Sequence, residues 1–210
     1  MRQKDMNQKT MIAFGDSLAF GWGVDRSARF TTLLDGHGGY HVLNRGKAGE
    51  RTDEIHARFR LQVLDQEPDV LFLIGGSNNI FQGRDIEAAF RDLGAMTEDA
   101  LRAGISVLLA TTPPYCIPFD PPYWSKIVDL DAAVSGITAL NGRIRGYASS
   151  LQGTSAAGSG TSSLLLCDLA ADFLSLPEAE YRSLFLDEIH PNKKGHARYA
   201  ACIRACLDLL

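Results

Sequence analysis

Ser17 stands directly behind the apolar run Met11-Ile12-Ala13-Phe14 and the pair Gly15-Asp16. A hydroxyl at the end of a buried strand, after a glycine that permits a sharp exit, is either a helix N-cap or an exposed nucleophile. A serine nucleophile needs a base, and His190 is suited to that because its unperturbed pKa lies near neutrality. The base in turn needs a carboxylate to fix its tautomer and to stabilise its charged form, and Asp187 lies three residues before it in Asp187-Glu188-Ile189-His190. The tetrahedral species formed by attack on a carbonyl needs donors aimed at its oxyanion. The Ser17 N–H, the Gly46 N–H and the Asn78 side-chain amide are the candidates. Each of these residues also has a plainer reading. Ser17 alone fits a cap, Gly46 and Asn78 alone fit turns, and His190 alone fits a surface position before a helix that begins at Pro191.

The chemistry requires that Ser17, Gly46, Asn78 and the Asp187–His190 turn meet on one rim. Apolar runs of strand length occur at Met11 to Phe14, Tyr40 to Asn44, Val70 to Ile74, Ile105 to Ala110 and Leu164 to Asp168. Segments with helical patterning alternate with them: a short one over Ala28 to Leu34, one from Thr52 or Asp53 to about Gln66, Asp85 to Ala103 closed by Gly104, Ile127 to Leu151, Pro177 to Phe185, and Lys193 to Leu210. Strands alternating with helices predict an α/β fold, a parallel sheet with helices on both faces, whose ligands bind at the carboxyl ends of the strands. Ser17, Gly46 and Asn78 follow the first, second and third strands. The loop from Pro113 to Trp124 leaves the fourth strand on the same rim. It holds five of the eight prolines together with Tyr115, Phe119, Tyr123 and Trp124, which are candidate substrate contacts. Gln152 to Ser163, rich in Gly, Ser, Thr and Ala, is expected to be a surface loop.

The 210 residues suit one domain, residues 10–210, behind a flexible polar tail at residues 1–9. The net charge is −4 and no lysine/arginine block is present, which removes the electrostatic footprint of a nucleic-acid binder. No stretch approaches the length of a membrane span, and the opening residues are not expected to form a signal peptide. The four cysteines, Cys116, Cys167, Cys202 and Cys206, lack any C-x-x-C pairing. Cys202 and Cys206, four apart on a helical pattern, are expected to pack as small apolar side chains. A reduced, cytoplasmic protein is the simplest expectation. His196 lies near His190 and Asp187, but the spacing is not that of a metal site, so no metal is assigned.

Four short blocks, in order, resemble the GDSL/SGNH hydrolases: Gly15-Asp16-Ser17-Leu18 with Gly21 and Gly23; Asn44-Arg45-Gly46-Lys47-Ala48-Gly49; Gly76-Ser77-Asn78-Asn79; and Asp187-Glu188-Ile189-His190. They run from Gly15 to His190, nearly the whole chain. The resemblance implies a flavodoxin-like three-layer α/β/α sandwich with a five-stranded parallel sheet of order 2-1-3-4-5. It implies Ser17 as nucleophile, His190 as base, Asp187 as its partner, and Ser17, Gly46 and Asn78 around the oxyanion. It implies an esterase or lipase acting on small-molecule esters, with no cofactor. The sequence departs from the family at Asn79, where an aspartate is usual. That position is expected to be a structural hydrogen-bonder.

The same residues would serve an acyltransferase or a thioesterase. A non-catalytic module binding an anion or a flavin phosphate is the alternative from another class. The presence of Ser17, Asp187 and His190 together argues against it. Ser77 is a rival serine, but no G-x-S-x-G elbow surrounds it. Asp168 ends a strand on the rim with no evident partner.

Overall fold

A computed structural model of the chain describes residues 9–152 and 162–210. The order of elements is β1 (Lys9–Gly15), α1 (Ser17–Phe20), α2 (Phe30–Leu34), β2 (Tyr40–Gly46), α3 (Thr52–Ala57), α4 (Phe59–Gln62), β3 (Val70–Ile74), α5 (Ser77–Phe81), α6 (Ile86–Arg102), β4 (Ser106–Ala110), α7 (Leu130–Gln152), β5 (Leu164–Cys167), α8 (Leu169–Leu174), α9 (Glu178–Arg182) and α10 (Lys193–Leu207). All strand pairs are parallel and the sheet order is β2-β1-β3-β4-β5. The expected five-stranded α/β sandwich is therefore the observed one. Lys9, placed in the tail by sequence, already pairs with Tyr40 in the ladder. Residues 1–8, and most of the expected loop between Gln152 and Ser163, lie outside the described residues.

Both faces of the sheet are covered, which is why the strands read as unbroken apolar runs. Met11 and Ala13 point into one core with Phe30, Phe72, Phe173 and Tyr199. Ile12 and Phe14 point into the other with Ile55, Phe59, Leu71 and Leu140. Gly15 ends β1 at φ +150°, and a Cβ there would lie 1.9 Å from the Ile74 carbonyl oxygen. Only glycine allows β1 and β3 to approach so closely as the chain turns into α1.

The helix expected from Thr52 to Gln66 is broken at Arg58 into α3, α4 and a short 3-10 turn. Arg58 is drawn out of regular register by contacts remote in sequence. Its guanidinium donates to Glu50 at 2.6 Å, to the Arg45 carbonyl at 2.7 Å, to the Gly15 carbonyl at 2.8 Å and to Gln62 at 2.8 Å. It also lies 4.1 Å from the centre of the Phe14 ring. The segment after Gly76 forms α5. Asp168 caps the unexpected α8 through the Ala171 N–H, accepts from Thr111, and makes a two-pronged pair with Arg145 at 2.7 and 2.8 Å. It is a structural hub. Cys167 Sγ lies 3.7 Å from Cys202 Sγ, and all four cysteines are free thiols. Among the described residues no helix is long and apolar enough to cross a membrane.

Candidate active site

Ser17 is the first residue of α1, so its N–H has no acceptor within the helix. Asp16 caps α1: its Oδ1 accepts the Leu18 N–H at 2.9 Å, while its Oδ2 is buried without a hydrogen-bond partner. Burial pushes the Asp16 carboxyl up to about 6, against the pull of the Leu18 N–H and of nearby His190.

The Asp187–His190 segment is a short excursion whose base is closed by the chain on either side. The Asn192 N–H donates to the Leu184 carbonyl at 2.7 Å, and the Leu186 N–H donates to the His190 carbonyl at 2.8 Å. Asn192, not Pro191, caps the following helix α10. Inside the excursion, Asp187 Oδ1 accepts the backbone N–H groups of Ile189 at 2.8 Å and His190 at 2.7 Å. Its Oδ2 is 2.9 Å from His190 Nδ1. A carboxylate can only accept, so Nδ1 carries the proton and Nε2 is left as an acceptor. Nε2 is 3.0 Å from Ser17 Oγ. Burial alone would raise the Asp187 carboxyl, but the His190 ring and the two N–H donors hold it below the ordinary range. The geometry thus brings Ser17, His190 and Asp187 into one hydrogen-bonded line, with the base oriented toward the hydroxyl.

Gly46 does not stand where the sequence expectation places it. Gly46 is the last residue of β2 and pairs with Gly15 in the ladder. Its N–H donates to Asn44 Oδ1 at 3.0 Å, so it is not free for an oxyanion. A Cβ at Gly46 would lie 2.2 Å from the Phe20 nitrogen and 2.6 Å from the Ala19 carbonyl carbon. Gly46 is a packing glycine beneath α1, which corrects its assignment as a donor. β2 runs two residues beyond its apolar stretch, to Gly46 rather than Asn44, and so takes Gly46 into the sheet. The glycine that stands in the loop is Gly49. It is exposed, adopts φ +85°, and its N–H has no acceptor among the described residues. Asn78, second in α5, reaches this loop and donates from Nδ2 to the Glu50 carbonyl at 2.9 Å. Glu50 is itself buried and held by Arg58 at 2.6 Å and Lys47 at 2.9 Å. Asn79 is buried and exchanges hydrogen bonds with the Thr52 N–H and hydroxyl at 2.9 and 3.1 Å, a structural role.

The aromatic candidates divide. The Trp124 ring lies 5.8 Å from His190, and exposed Tyr123 stands edge-on to it. Tyr115 is buried against Phe81, and Phe119 packs on the main core, so neither stands on the open rim. Two contributors had no clear signal in the sequence. Trp22, in the Gly21-Trp22-Gly23 stretch, places its half-exposed ring 4.5 Å from that of His190. Glu188, 1% exposed, takes the backbone N–H groups of Tyr123, Trp124 and Ser125 on its carboxylate. Its place inside the Asp-x-x-His block was the only hint of its importance. His196 is buried, stacks on Phe30, and accepts the Phe30 N–H at 3.4 Å. Burial lowers its pKa to about 4.

The model of the GDSL-like lipase/acylhydrolase family matches residues 13–198 of this chain. The chain belongs to that family. A lipolytic protein of the G-D-S-L family from Veillonella parvula DSM 2008 superposes with a TM-score of 0.76 at 20% identity, over 96% of this chain and 100% of the other. The acetyl xylan esterase AlAXEase gives a TM-score of 0.74 at 21% identity, over 94% and 99%. At these identities the likeness is one of fold. The uncharacterized lipoprotein YqeF of Bacillus subtilis (strain 168) is 31% identical over 121 residues, 51% of this chain and 48% of that protein. The aligned stretch thus spans about half of that curated relative. Within this GDSL-like fold, the hydrogen-bonded serine, histidine and aspartate sit at the carboxyl edge of β1 and in the turn before α10.

Proposed function

We propose that the protein hydrolyses carboxylic esters, with short-acyl or acetyl esters as the preferred class, through an acyl-enzyme on Ser17. The observation that carries the reading is the Ser17 Oγ to His190 Nε2 separation of 3.0 Å, with His190 Nδ1 held 2.9 Å from Asp187 Oδ2. Ser17 Oγ attacks the acyl carbon and its proton passes to Nε2. His190, stabilised as a cation by Asp187, returns that proton to the departing alkoxide. A water activated by the same nitrogen then releases the acid. The Ser17 N–H, the Gly49 N–H and Asn78 Nδ2 receive the developing oxyanion, each such donor contributing on the order of 10²–10³ in turnover. The indole rings of Trp22 and Trp124 lie 4.5 and 5.8 Å from the imidazole, which supports a small acyl group. The acetyl xylan esterase of similar fold is named for an acetyl ester, which agrees with this preference.

The test is hydrolysis of p-nitrophenyl acetate, butyrate and octanoate by the purified protein and by Ser17→Ala. The expected result is a fall of at least about 10³-fold in kcat for the variant, with activity declining from acetate to octanoate. Equal turnover by both proteins removes Ser17 from the chemistry. A preference for octanoate overturns the short-acyl assignment.

A further inference from the structure

Beside the proposed site, along the outer edge of β2, runs a groove of about 860 Å³ lined by Phe20, Arg26, Arg29, Asn44, Arg45 and Gly46, among others. At one end it reaches the helix that Ser17 begins. Phe20 is the last residue of the helix that Ser17 begins, about 5 Å along the axis, and Gly46 packs directly under that helix.

Three features give the groove a chemical preference. The chain carries a net charge of −4, yet this one concavity is lined by three arginines. Among the described residues, none of the three is in an ion pair. The carboxylate that lines the same groove, Asp35, is engaged through one oxygen: its Oδ1 accepts the Val42 N–H at 2.9 Å and lies 3.0 Å from His41 Nδ1. Arg29 is also fixed in place. Its guanidinium lies 4.2 Å from the centre of the Phe20 ring, and its Nε donates to the Val24 carbonyl at 3.0 Å. That leaves the two terminal nitrogens of the fork without acceptors among the described residues, in an orientation set before any ligand arrives. A planar fork held in this way suits a two-oxygen acceptor such as a carboxylate or phosphate.

We infer that this groove binds an anionic substituent, a carboxylate or phosphate, on the alcohol portion of the ester whose small acyl group is presented to Ser17. The inference rests on the ester-hydrolase reading for the identity of the ligand's other half, and on the arginine geometry for its charge. A groove of this volume has room for a portion of sugar size, so the substrate class is an acetylated, acidic or phosphorylated, polyol or sugar.

The experiment compares monoacetylated glucose, monoacetylated glucuronic acid and monoacetylated glucose 6-phosphate as substrates of the full chain, at low salt and in 0.5 M salt, a concentration of about the strength that screens exposed charges within several ångströms. Glucuronic acid and glucose 6-phosphate are titrated separately as ligands by calorimetry. At least one anionic acetate is expected to exceed the neutral one in kcat/KM by roughly tenfold at low salt, less in high salt. Arg26→Gln and Arg45→Gln are expected to lower that ratio several-fold while leaving p-nitrophenyl acetate turnover unchanged. Arg29→Lys, which keeps the charge and loses the fork, is expected to reduce it as well. Which anionic acetate leads decides between carboxylate and phosphate. Equal kcat/KM for all three sugars, or a ratio indifferent to the arginine substitutions, overturns the inference. If no ester is hydrolysed but the free anionic sugars bind in an arginine-dependent way, the groove stands and the ester-hydrolase reading falls. If esters are hydrolysed and neither anion binds, the reverse holds.

Discussion

Glu188→Ala removes the tie between the Asp187–His190 turn and the aromatic loop over it. The Glu188 carboxylate accepts the N–H groups of Tyr123 at 2.8 Å, Trp124 at 3.2 Å and Ser125 at 3.3 Å, and the Ser125 hydroxyl at 3.2 Å. A hydrogen bond to a charged group contributes roughly 1.5–3 kcal/mol net. Tyr123 and Ser125 are exposed, so water would recover part of the loss on removal. The expected cost is therefore about 2–4 kcal/mol rather than the full sum of the bonds. For a domain of this size that corresponds to a fall of roughly 5–15 °C in Tm. The Glu188 backbone carbonyl still accepts the Cys116 N–H at 2.7 Å, so one end of the loop stays anchored in the variant. The released part contains Trp124, 5.8 Å from the His190 ring. Calorimetric melting, fluorescence of the two tryptophans, and kcat and KM on p-nitrophenyl acetate read the outcome. Expected are a lower Tm, an altered tryptophan emission and a raised KM, with Glu188→Gln intermediate because it keeps one acceptor oxygen. The tie also has a definite pH sense. Burial would raise the Glu188 carboxyl, but the backbone donors hold it below its usual 4.5. Its stabilisation is thus complete above that value and is lost only as the pH falls through the lower native pKa. A Glu188→Ala protein that melts within about 1 °C of the parent, with unchanged KM, refutes the reasoning.

Gly46→Ala and Gly49→Ala separate the two glycines of the second block. At Gly46 the new Cβ meets α1 backbone at 2.2 Å, so α1 must move, at a cost of about 3 kcal/mol or more and with loss of activity. At Gly49 the Cβ enters open space and only the left-handed φ is penalised, by about 1 kcal/mol; denaturant titrations giving the opposite order would reject the assignment of Gly46 to packing. Asp16→Asn keeps the acceptor for the Leu18 N–H and removes a buried charge. The native carboxyl lies at about 6 against 3.8 in the unfolded chain, so its ionisation penalty is absent below about pH 4, grows toward pH 6 and is full above, about 3 kcal/mol in all. The stability of the variant relative to the parent should therefore climb across that window, and a difference that is flat with pH from denaturant titrations counts against a raised Asp16 pKa.

Much of the fold was legible because burial on both faces of a parallel sheet leaves continuous apolar runs, and Val70–Ile74 or Ser106–Ala110 need no context to be recognised. The residues that meet in the hydrogen-bonded line were legible for a related reason. Ser17 and Asp187-Glu188-Ile189-His190 are local patterns whose chemistry depends on residue type and order. What sequence could not convey is set by contacts between distant segments. Arg58 breaks the helix after Thr52 because its acceptors are the ends of β1 and β2 and the loop at Glu50. Asp168 had no visible partner because Arg145 lies 23 residues before it, on α7.

The sequence by itself determined the layered sheet, the rim on which the site stands, and the residues able to act as nucleophile, base and orienting carboxylate. Periodicity and side-chain chemistry are properties of the chain, so they survive without coordinates. Tertiary structure decided which glycine carries a free N–H. Asn44 takes the N–H of Gly46, while Gly49 stands in a loop pinned by Arg58 through Glu50. It also decided that Glu188 ties down the aromatic loop and that three arginines from two segments share one groove. Hydrogen-bond saturation and the gathering of like charges depend on what lies across space, and no local pattern records that.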